Sequence, residues 1–125
     1  MKDKVPAFLF YPTDWISNPH IKAMTDQQYR AYHLLLCSAW LNDPQATLPN
    51  DDFALARCAE VAIDTWEQIK KPVLARFQLN GDGRLHHAKL TRVLHDARQK
   101  YTASKIRWEK TNEKRKNKEN DEGGY

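Results

Sequence analysis

Polar and basic side chains recur at helical spacing in the middle of the chain. Thr65, Gln68 and Lys71 follow one another at intervals of three residues, with Lys70 beside them. On a helix these positions are predicted to lie opposite the apolar side, where hydroxyl, amide and ammonium groups can contact base edges and phosphates. We therefore expect Thr65, Gln68, Lys70 and Lys71 to contact DNA.

Basic side chains are concentrated in one stretch late in the sequence. Residues 1–88 hold 9 Lys and Arg against 10 Asp and Glu, residues 89–118 hold 11 against 3, and residues 119–125 hold none against 3. Such a concentration attracts phosphate backbones, although a solvated basic helix without a specific ligand has the same composition. The further expected nucleic-acid contacts are Arg84, Lys89, Arg92, Lys100, Lys105 and Arg107.

The sequence contains little that is typical of a catalytic or metal-binding site. His86 and His87 are adjacent, so they point to opposite faces of a strand, and neither has a Cys, Asp or His at ligand spacing. Asp51 and Asp52 do not face each other on a helix, and a helix start explains both. The Asn80–Gly83 stretch lacks the following helix and the lysine of a phosphate-binding loop. The sequence therefore predicts neither an enzyme nor a metal or cofactor site.

Two short helices are predicted to position the first set of contacts. Residues 50–52 are typical of a helix start and predict a helix to Cys58. A second helix begins at Asp64, whose carboxylate is expected to cap the free amides while Glu67 completes a variant of the capping box. Pro72 should kink this helix or end it early, because its ring displaces the preceding turn. The apolar stripe of the second helix consists of Trp66, Ile69, Val73 and Phe77.

A hairpin is predicted directly after these helices. Phe77–Leu79 alternates apolar and polar residues, Asn80–Gly83 supplies turn residues, and Arg84–His86 returns in strand period. Thr47 and Leu48 are expected to pair with the hairpin as a short third strand. These elements together predict an α+β fold, specifically a winged helix, which is a helix-turn-helix followed by a β-hairpin wing.

A longer helix precedes this region and is predicted to form the centre of the core. Thr25 and Gln28 form a capping box for a helix that runs to about Leu41. The aromatic segment at residues 8–15 is expected to pack across the domain. The residues expected to line the buried side of the helix are Tyr29, Tyr32, Leu35, Leu36, Cys37, Ala39 and Trp40.

From Ala88 onward the sequence predicts a long basic helix. Apolar residues recur at spacings of four and three from Leu90 to Trp108. A helix from Ala88 to Lys114 would extend about 40 Å, so part of it is expected to project. It could be a dimerisation helix, a basic arm along DNA, or a terminal helix that frays beyond Tyr101. The predicted divisions are a winged-helix domain at 1–94, a basic helical extension at 95–114 and a disordered tail at 115–125.

The first residues do not resemble a signal peptide. Residues 1–6 are charged, and the apolar run from Ala7 to Tyr11 is far too short to span a bilayer. We therefore expect a cytoplasmic protein without a membrane partner. Cys37 and Cys58 lie in apolar helical patterns without metal-ligand spacing, so both are expected to be reduced core residues.

Several motifs, taken in order, resemble a known family. They are the Tyr11–Trp15 run, the helix that contains Tyr29–Leu35 and ends near Ala39 and Trp40, the Leu48–Asp52 string followed by Leu55–Arg57, Trp66, and the ending Gly83–His87. Together they resemble the YdaU-type domain of unknown function, which occurs mainly in phages and prophages, often beside replication genes. The resemblance spans about Phe8 to Leu94.

This resemblance implies a winged-helix domain similar to the amino-terminal domains of phage replication initiators and primosome proteins. Those proteins recognise origin DNA and recruit a helicase or its loader. The resemblance also implies that Trp15, Trp40 and Trp66 anchor the core, and that Asp14 and Asp52 cap helices.

We therefore expect a DNA-binding winged-helix protein of phage or prophage origin that acts in replication initiation or primosome assembly. Its expected partners are double-stranded DNA and a replicative helicase or its loader. The helix from Asp64 would lie in the major groove, while Arg84, Lys89 and Arg92 hold the backbone; Glu67 would repel phosphate unless its capping role occupies it. A competing hypothesis is a protein-binding adaptor or regulator without direct DNA binding. A homodimer through the C-terminal helix is a third hypothesis.

Overall fold

The chain folds into helices that pack on a small sheet and end in one long helix. The computed structural model describes residues 4–7 and 10–114. Their elements are α1 Pro12–Ile16, α2 Pro19–Lys22, α3 Asp26–Leu41, β1 Thr47–Pro49, α4 Asp52–Cys58, α5 Ile63–Val73, β2 Phe77–Leu79, β3 Arg84–His87 and α6 Ala88–Lys114. This mixed α+β arrangement agrees with the predicted class and with the long C-terminal helix.

Helix α3 lies at the centre of the core, as its sequence predicts. The Thr25 hydroxyl accepts a hydrogen bond from the Gln28 amide over 3.2 Å, and the Gln28 side chain accepts one from the Thr25 amide over 3.1 Å. The predicted capping box is therefore confirmed. Tyr29 and Cys37 are exposed instead of lining the buried side. The buried residues of α3 are Ala31, Tyr32, Leu35, Ala39 and Trp40.

The three strands form an antiparallel sheet in the order β1-β3-β2. Leu85 of β3 pairs with Leu48 of β1 on one side and with Leu79 of β2 on the other. The turn between β2 and β3 closes where the Gly83 amide donates to the Asn80 carbonyl over 3.0 Å. Gly83 has a φ of 77°, a backbone conformation that glycine adopts without steric cost. Both the hairpin and the third strand are confirmed.

Helix α4 begins as predicted, but Asp51 caps it and Asp52 does not. The Asp51 carboxylate accepts a hydrogen bond from the Ala54 amide over 2.9 Å. Asp52 is already the first helical residue, and its side chain is bonded to α5 instead. The expectation that Asp52 is a cap is therefore wrong.

Helix α5 begins at Ile63, two residues earlier than a cap at Asp64 would require. The cause lies in the turn before it, where α4 ends in a Schellman motif. Glu60 adopts a left-handed φ of 60°, and the Val61 amide donates to the Ala56 carbonyl over 3.0 Å. Ala62 then takes the extended cap position without a side-chain hydrogen bond. Asp64 therefore lies inside the first turn, and the predicted capping role is wrong.

The apolar stripe of α5 is confirmed. Trp66 and Val73 are completely buried, and Ile69 is 6% exposed. The helix ends at Val73, one residue after Pro72, in agreement with an early end at the proline. Phe77 completes the stripe from the following strand, where it is also buried. These side chains connect α5 to α3 and the sheet in one core.

Helix α6 is buried at its beginning and exposed along the rest of its described length. Leu90 and Leu94 belong to the core, whereas residues 99–112 are all exposed. Trp108 is 60% exposed. The prediction that part of this helix projects is therefore confirmed.

The aromatic opening segment packs on α3, as expected, through Trp15. The Trp15 ring lies edge-on to Tyr29 with ring centroids 5.7 Å apart, and it stacks with Tyr32 at 6.0 Å. Trp15 is half-buried, so it is a partial core anchor. Asp14 is not a cap, because it lies inside the first turn of α1, whose cap position is Tyr11. Its carboxylate lies 3.1 Å from the Lys89 ammonium.

Three further predictions concern the cysteines, the bilayer and the tail. Cys37 and Cys58 are both free, but Cys37 is exposed and Cys58 is half-buried, so the predicted core position of Cys37 is wrong. None of the helices within residues 4–7 and 10–114 has the length and apolar character to cross a bilayer. The predicted disordered tail at 115–125 lies outside the described residues.

Candidate nucleic-acid interface

The charge of Lys70 is matched by carboxylates on the body of the protein. Lys70 follows Trp66 by one helical turn, so both side chains reach the same side of α5. Asp52 accepts hydrogen bonds from Trp66 Nε1 over 2.9 Å and from Lys70 Nζ over 3.1 Å. Lys70 Nζ also lies 3.1 Å from the Glu67 carboxylate. The structure therefore corrects the prediction that Lys70 faces outward with Lys71.

These contacts also shift the pKa values of the charged groups. The hydrogen bonds from Trp66 and then Lys70 hold the pKa of Asp52 below its usual value. The hydrogen bonds to Glu67 and Asp52 raise the pKa of Lys70. Each shift favours the charged form of its group. Asp52 and Lys70 therefore remain ionised at neutral pH, and their contact ties α4 to α5.

The outward side of α5 has a mixed charge. Gln68 and Lys71 are exposed there together with Asp64 and Glu67, and Thr65 is half-buried. Two carboxylates accompany one lysine, so this surface does not concentrate positive charge. The predicted contacts Thr65, Gln68 and Lys71 therefore lie on a surface with little attraction for phosphate.

Arg84 is tied into the sheet. Its Nε donates to the Thr47 hydroxyl over 2.7 Å, and its backbone amide donates to Asp82 over 3.0 Å. Asp82 also lies 2.9 Å from His86 Nε2, an interaction that the sequence analysis missed although the two residues are four apart. The Arg84 amide and then His86 lower the pKa of Asp82. These bonds fix the hairpin and leave Arg84 only half-exposed.

The exposed side of α6 carries a line of positively charged residues, which we call the basic stripe. It consists of Lys89, Arg92, Lys100, Arg107 and Lys110, all exposed. The intervals between these residues are close to multiples of 3.6, so they lie on the side of α6 opposite Leu90 and Leu94. From Lys89 to Lys110 the stripe extends over about 32 Å of helix. Asp96 is the one carboxylate that shares this line among the described residues.

The basic stripe differs from the predicted set in two residues. Lys110 was missed, although its spacing of three from Arg107 continues the pattern. Lys105 lies on the opposite side of α6 from the stripe, in a groove of about 440 Å³ that it lines with Val5 and Arg98. Helical spacing alone could have separated Lys105 from the stripe.

A second feature, which we call the aromatic groove, lies where α6 begins. It has a volume of about 520 Å³ and lies between α1, α3, the turn after α5, and the junction of β3 with α6. Its charged residues are the cations Arg76, Lys89 and Arg92 and the carboxylate Asp14, which is paired with Lys89. Arg76 has no local signal in the sequence and is brought here by the packing of α5. The aromatic side chains that line the groove are Phe10, Tyr11, Trp15, Tyr32, His33 and His87.

Tyr32 and His87 form a neutral pair in this groove. The Tyr32 hydroxyl lies 2.7 Å from His87 Nε2, and the Leu90 amide donates to His87 Nδ1 over 3.2 Å. Burial, followed by the charge of Arg76, lowers the pKa of His87 to about 4. Burial raises the pKa of Tyr32 to about 12. Both groups are therefore uncharged at pH 7.

The hydrogen bonds of His87 assign its tautomer. Because Nδ1 accepts from Leu90, the single proton of the neutral ring is on Nε2, which donates to the Tyr32 oxygen. The hydroxyl hydrogen of Tyr32 is then free to point away from His87. Tyr32 is 4% exposed, so this neutral pair lies at the buried base of the groove.

A family model described as "Protein of unknown function (DUF1376)" matches residues 8–95 of the chain. The chain belongs to this family. No curated protein gives a significant match, and no solved structure does either.

The family match covers one part of the candidate interface and leaves out the rest. The DUF1376 match includes the aromatic groove and the first two residues of the basic stripe, Lys89 and Arg92. It ends one residue after Leu94, the last buried residue of α6 within the described part of the chain. Lys100, Arg107 and Lys110 follow the matched region. The stripe therefore begins inside the family domain and continues along the projecting helix.

Proposed function

We propose that this protein binds DNA and that the basic stripe of α6 holds the phosphate backbone. The single observation that carries the proposal is the line of five exposed cations over about 32 Å, close to the length of one turn of duplex DNA. Among the described residues, two carboxylates reduce this positive charge. Asp96 lies on the stripe, and Asp14 forms an ion pair with Lys89, the first residue of the stripe. Phosphate attraction at such a surface is strong and depends on salt.

We propose in addition that residues 1–94 form a winged helix. The support is the order of α4, α5 and the β2–β3 hairpin, with β1 as a third strand. This proposal agrees with the resemblance to the YdaU-type domain and with a role in phage or prophage replication initiation or primosome assembly. It is a binding role without a catalytic step.

A second candidate function is suggested by the outward side of α5. Its mixed charge gives little attraction for DNA, and Phe53 of α4, next to Asp52, is 63% exposed. Exposed aromatic residues are enriched where proteins bind one another. We propose that this side, and not the stripe, contacts a protein partner such as a replicative helicase or its loader.

The DNA-binding proposal is tested by the salt dependence of binding. Affinity for a mixed-sequence duplex would be measured by fluorescence anisotropy between about 50 and about 200 mM salt. One variant carries Arg92→Ala, Lys100→Ala and Arg107→Ala. The matched control carries Lys22→Ala, Arg57→Ala and Lys71→Ala, which removes the same charge from exposed positions outside the stripe.

We expect the stripe variant to reduce the slope of log affinity against log salt by about 2.7, which is roughly 0.9 for each lost contact. The control variant should reduce it by less than about 0.9. Equal reductions in the two variants would show that net charge alone matters. A wild-type protein that does not bind the duplex would refute the proposal.

The protein-binding candidate needs a separate experiment. A purified helicase or loader would be titrated with the wild type and with Phe53→Ala combined with Gln68→Ala. We expect the variant to lose most of the binding, while the stripe variant keeps it. Retained binding by the Phe53 and Gln68 variant would exclude this side of α5.

A further inference from the structure

The aromatic groove combines three kinds of chemistry in one space. Tyr11 and Phe10 are 53% and 56% exposed at its edge, so their rings are accessible for stacking. Arg76 and Arg92 are exposed cations, and within residues 4–7 and 10–114 neither forms an ion pair. The groove can therefore accept a ligand that has both a planar apolar part and a negative charge.

Neutral hydrogen-bonding groups complete the lining. The tautomer of His87 leaves the hydroxyl hydrogen of Tyr32, a residue that is 4% exposed, without an acceptor among the described residues. Gln78 is exposed in the groove, and its side-chain amide has no hydrogen-bond partner among the described residues. An amide both donates and accepts, as the edge of a nucleic-acid base does.

A nucleotide has each of the complementary parts. Its base is planar with a polar edge, and its phosphate is an anion. The groove volume of about 520 Å³ falls within the range usual for small-ligand sites. In a duplex the base faces are stacked on their neighbours, so only an unpaired nucleotide could place its base among these rings.

We propose that the aromatic groove binds an unpaired nucleotide of single-stranded DNA. The base lies against Tyr11 and Phe10, and the phosphates contact Arg76 and Arg92. The strand then continues along the basic stripe, which begins at Lys89 in the same groove. This inference rests on the proposed function, to which it adds a subsite for one unpaired base.

The test compares two single-stranded ligands with the same number of phosphates. One is an oligothymidylate of about 12 nucleotides, and the other is an abasic strand of equal length. Affinities of the full chain are measured by anisotropy with the wild type, with Phe10→Ala combined with Tyr11→Ala, and with Phe53→Ala. Phe53 is a matched control because it is an exposed aromatic residue outside the groove.

We expect the wild type to bind the oligothymidylate about 5- to 150-fold more tightly than the abasic strand, as base stacking on aromatic rings typically gives. The Phe10 and Tyr11 variant should reduce this ratio towards one, whereas Phe53→Ala should preserve it. Photocrosslinking of iodouridine-substituted oligonucleotide to wild-type protein gives an independent measurement, with adducts expected at Tyr11 or Trp15.

The outcomes separate this inference from the proposed function. Equal affinity for the two strands, or adducts only along residues 99–112, would overturn the groove site and leave the basic stripe intact. Failure of both strands and of duplex DNA to bind would overturn both proposals. Stronger competition by an acidic, tyrosine-containing peptide than by oligothymidylate would assign the groove to a protein ligand and overturn the inference.

Discussion

Helices α5 and α6 both carry lysine and tryptophan, but they use these residues in opposite ways. In α5, Trp66 is completely buried and Lys70 is bonded to two carboxylates. In α6, Trp108 is 60% exposed, and four of the five cations of the basic stripe have no ion-pair partner among the described residues. The comparison shows that α5 maintains the fold while the projecting part of α6 remains available for a ligand.

The largest expected difference between the two helices is in hydrogen exchange. Amides in the middle of α5 should exchange only through global unfolding, because Trp66 and Ile69 of this helix are buried in the core. Amides of residues 100–112 lack such packing, and an isolated helix of this length is marginal in water. For a stability of about 5 kcal/mol, we expect protection in α5 to exceed that in residues 100–112 by roughly a thousandfold or more.

Nuclear magnetic resonance or mass spectrometry would measure that exchange on the free protein. Similar protection along both helices would mean that a second surface covers the distal part of α6. A homodimer is one way to produce that result. Light scattering on the same sample would then give the oligomeric state.

The next largest effect is on stability, through the two tryptophans. Trp66→Ala removes a completely buried ring and the hydrogen bond to Asp52, so we expect a loss of about 3–5 kcal/mol in the free energy of unfolding. Trp108→Ala should change it by less than about 0.5 kcal/mol. Urea unfolding of both variants checks the difference. A large loss from Trp108→Ala would contradict the exposed position of that ring.

A smaller effect concerns pH and the attachment of α6 to the body. The pKa of His87 is about 4 in the folded protein, below the value of about 6.5 expected in the unfolded chain. The unfolded state therefore binds more protons between these values, and stability should fall as pH decreases from about 6.5 to about 4. Protonation of Nδ1 would also remove the acceptor for the Leu90 amide.

Unfolding curves across that pH range would measure the free energy of unfolding as a function of pH. The His87→Gln variant should lose the decrease in that free energy between about pH 6.5 and about pH 4. His95→Gln, which changes an exposed residue of α6, should leave that decrease in place. A loss of stability that begins only below about pH 4 would be attributed to Asp52 and Asp82, whose pKa values are lowered. That result would contradict the buried, neutral state of His87.

Local signals in the sequence predict most of the elements. The Thr25 and Gln28 box marks the start of α3, Gly83 marks the hairpin, and the spacing of Trp66, Ile69 and Val73 defines the inner side of α5. Each of these signals acts within a few residues, so it can be read without knowledge of the fold.

The predictions that were wrong depend either on a local turn that lacks its usual residue or on contacts between elements. The start of α5 is displaced by the left-handed Glu60, where the usual sequence signal would be a glycine. Lys70 is turned inward because Asp52 of another helix lies beside it. Arg76 reaches the aromatic groove only through tertiary packing. The basic stripe, in contrast, follows helical spacing, and its missed member Lys110 was visible in the sequence.

Chemical-shift mapping tests most directly whether α6 or α5 contacts DNA. Isotope-labelled protein would be titrated with a short mixed-sequence duplex, and amide shifts would be followed along both helices. Our account predicts that the largest shifts occur between Lys89 and Lys110, with small changes at Gln68 and Lys71. Large shifts at Gln68 and Lys71 with an unchanged α6 would contradict it.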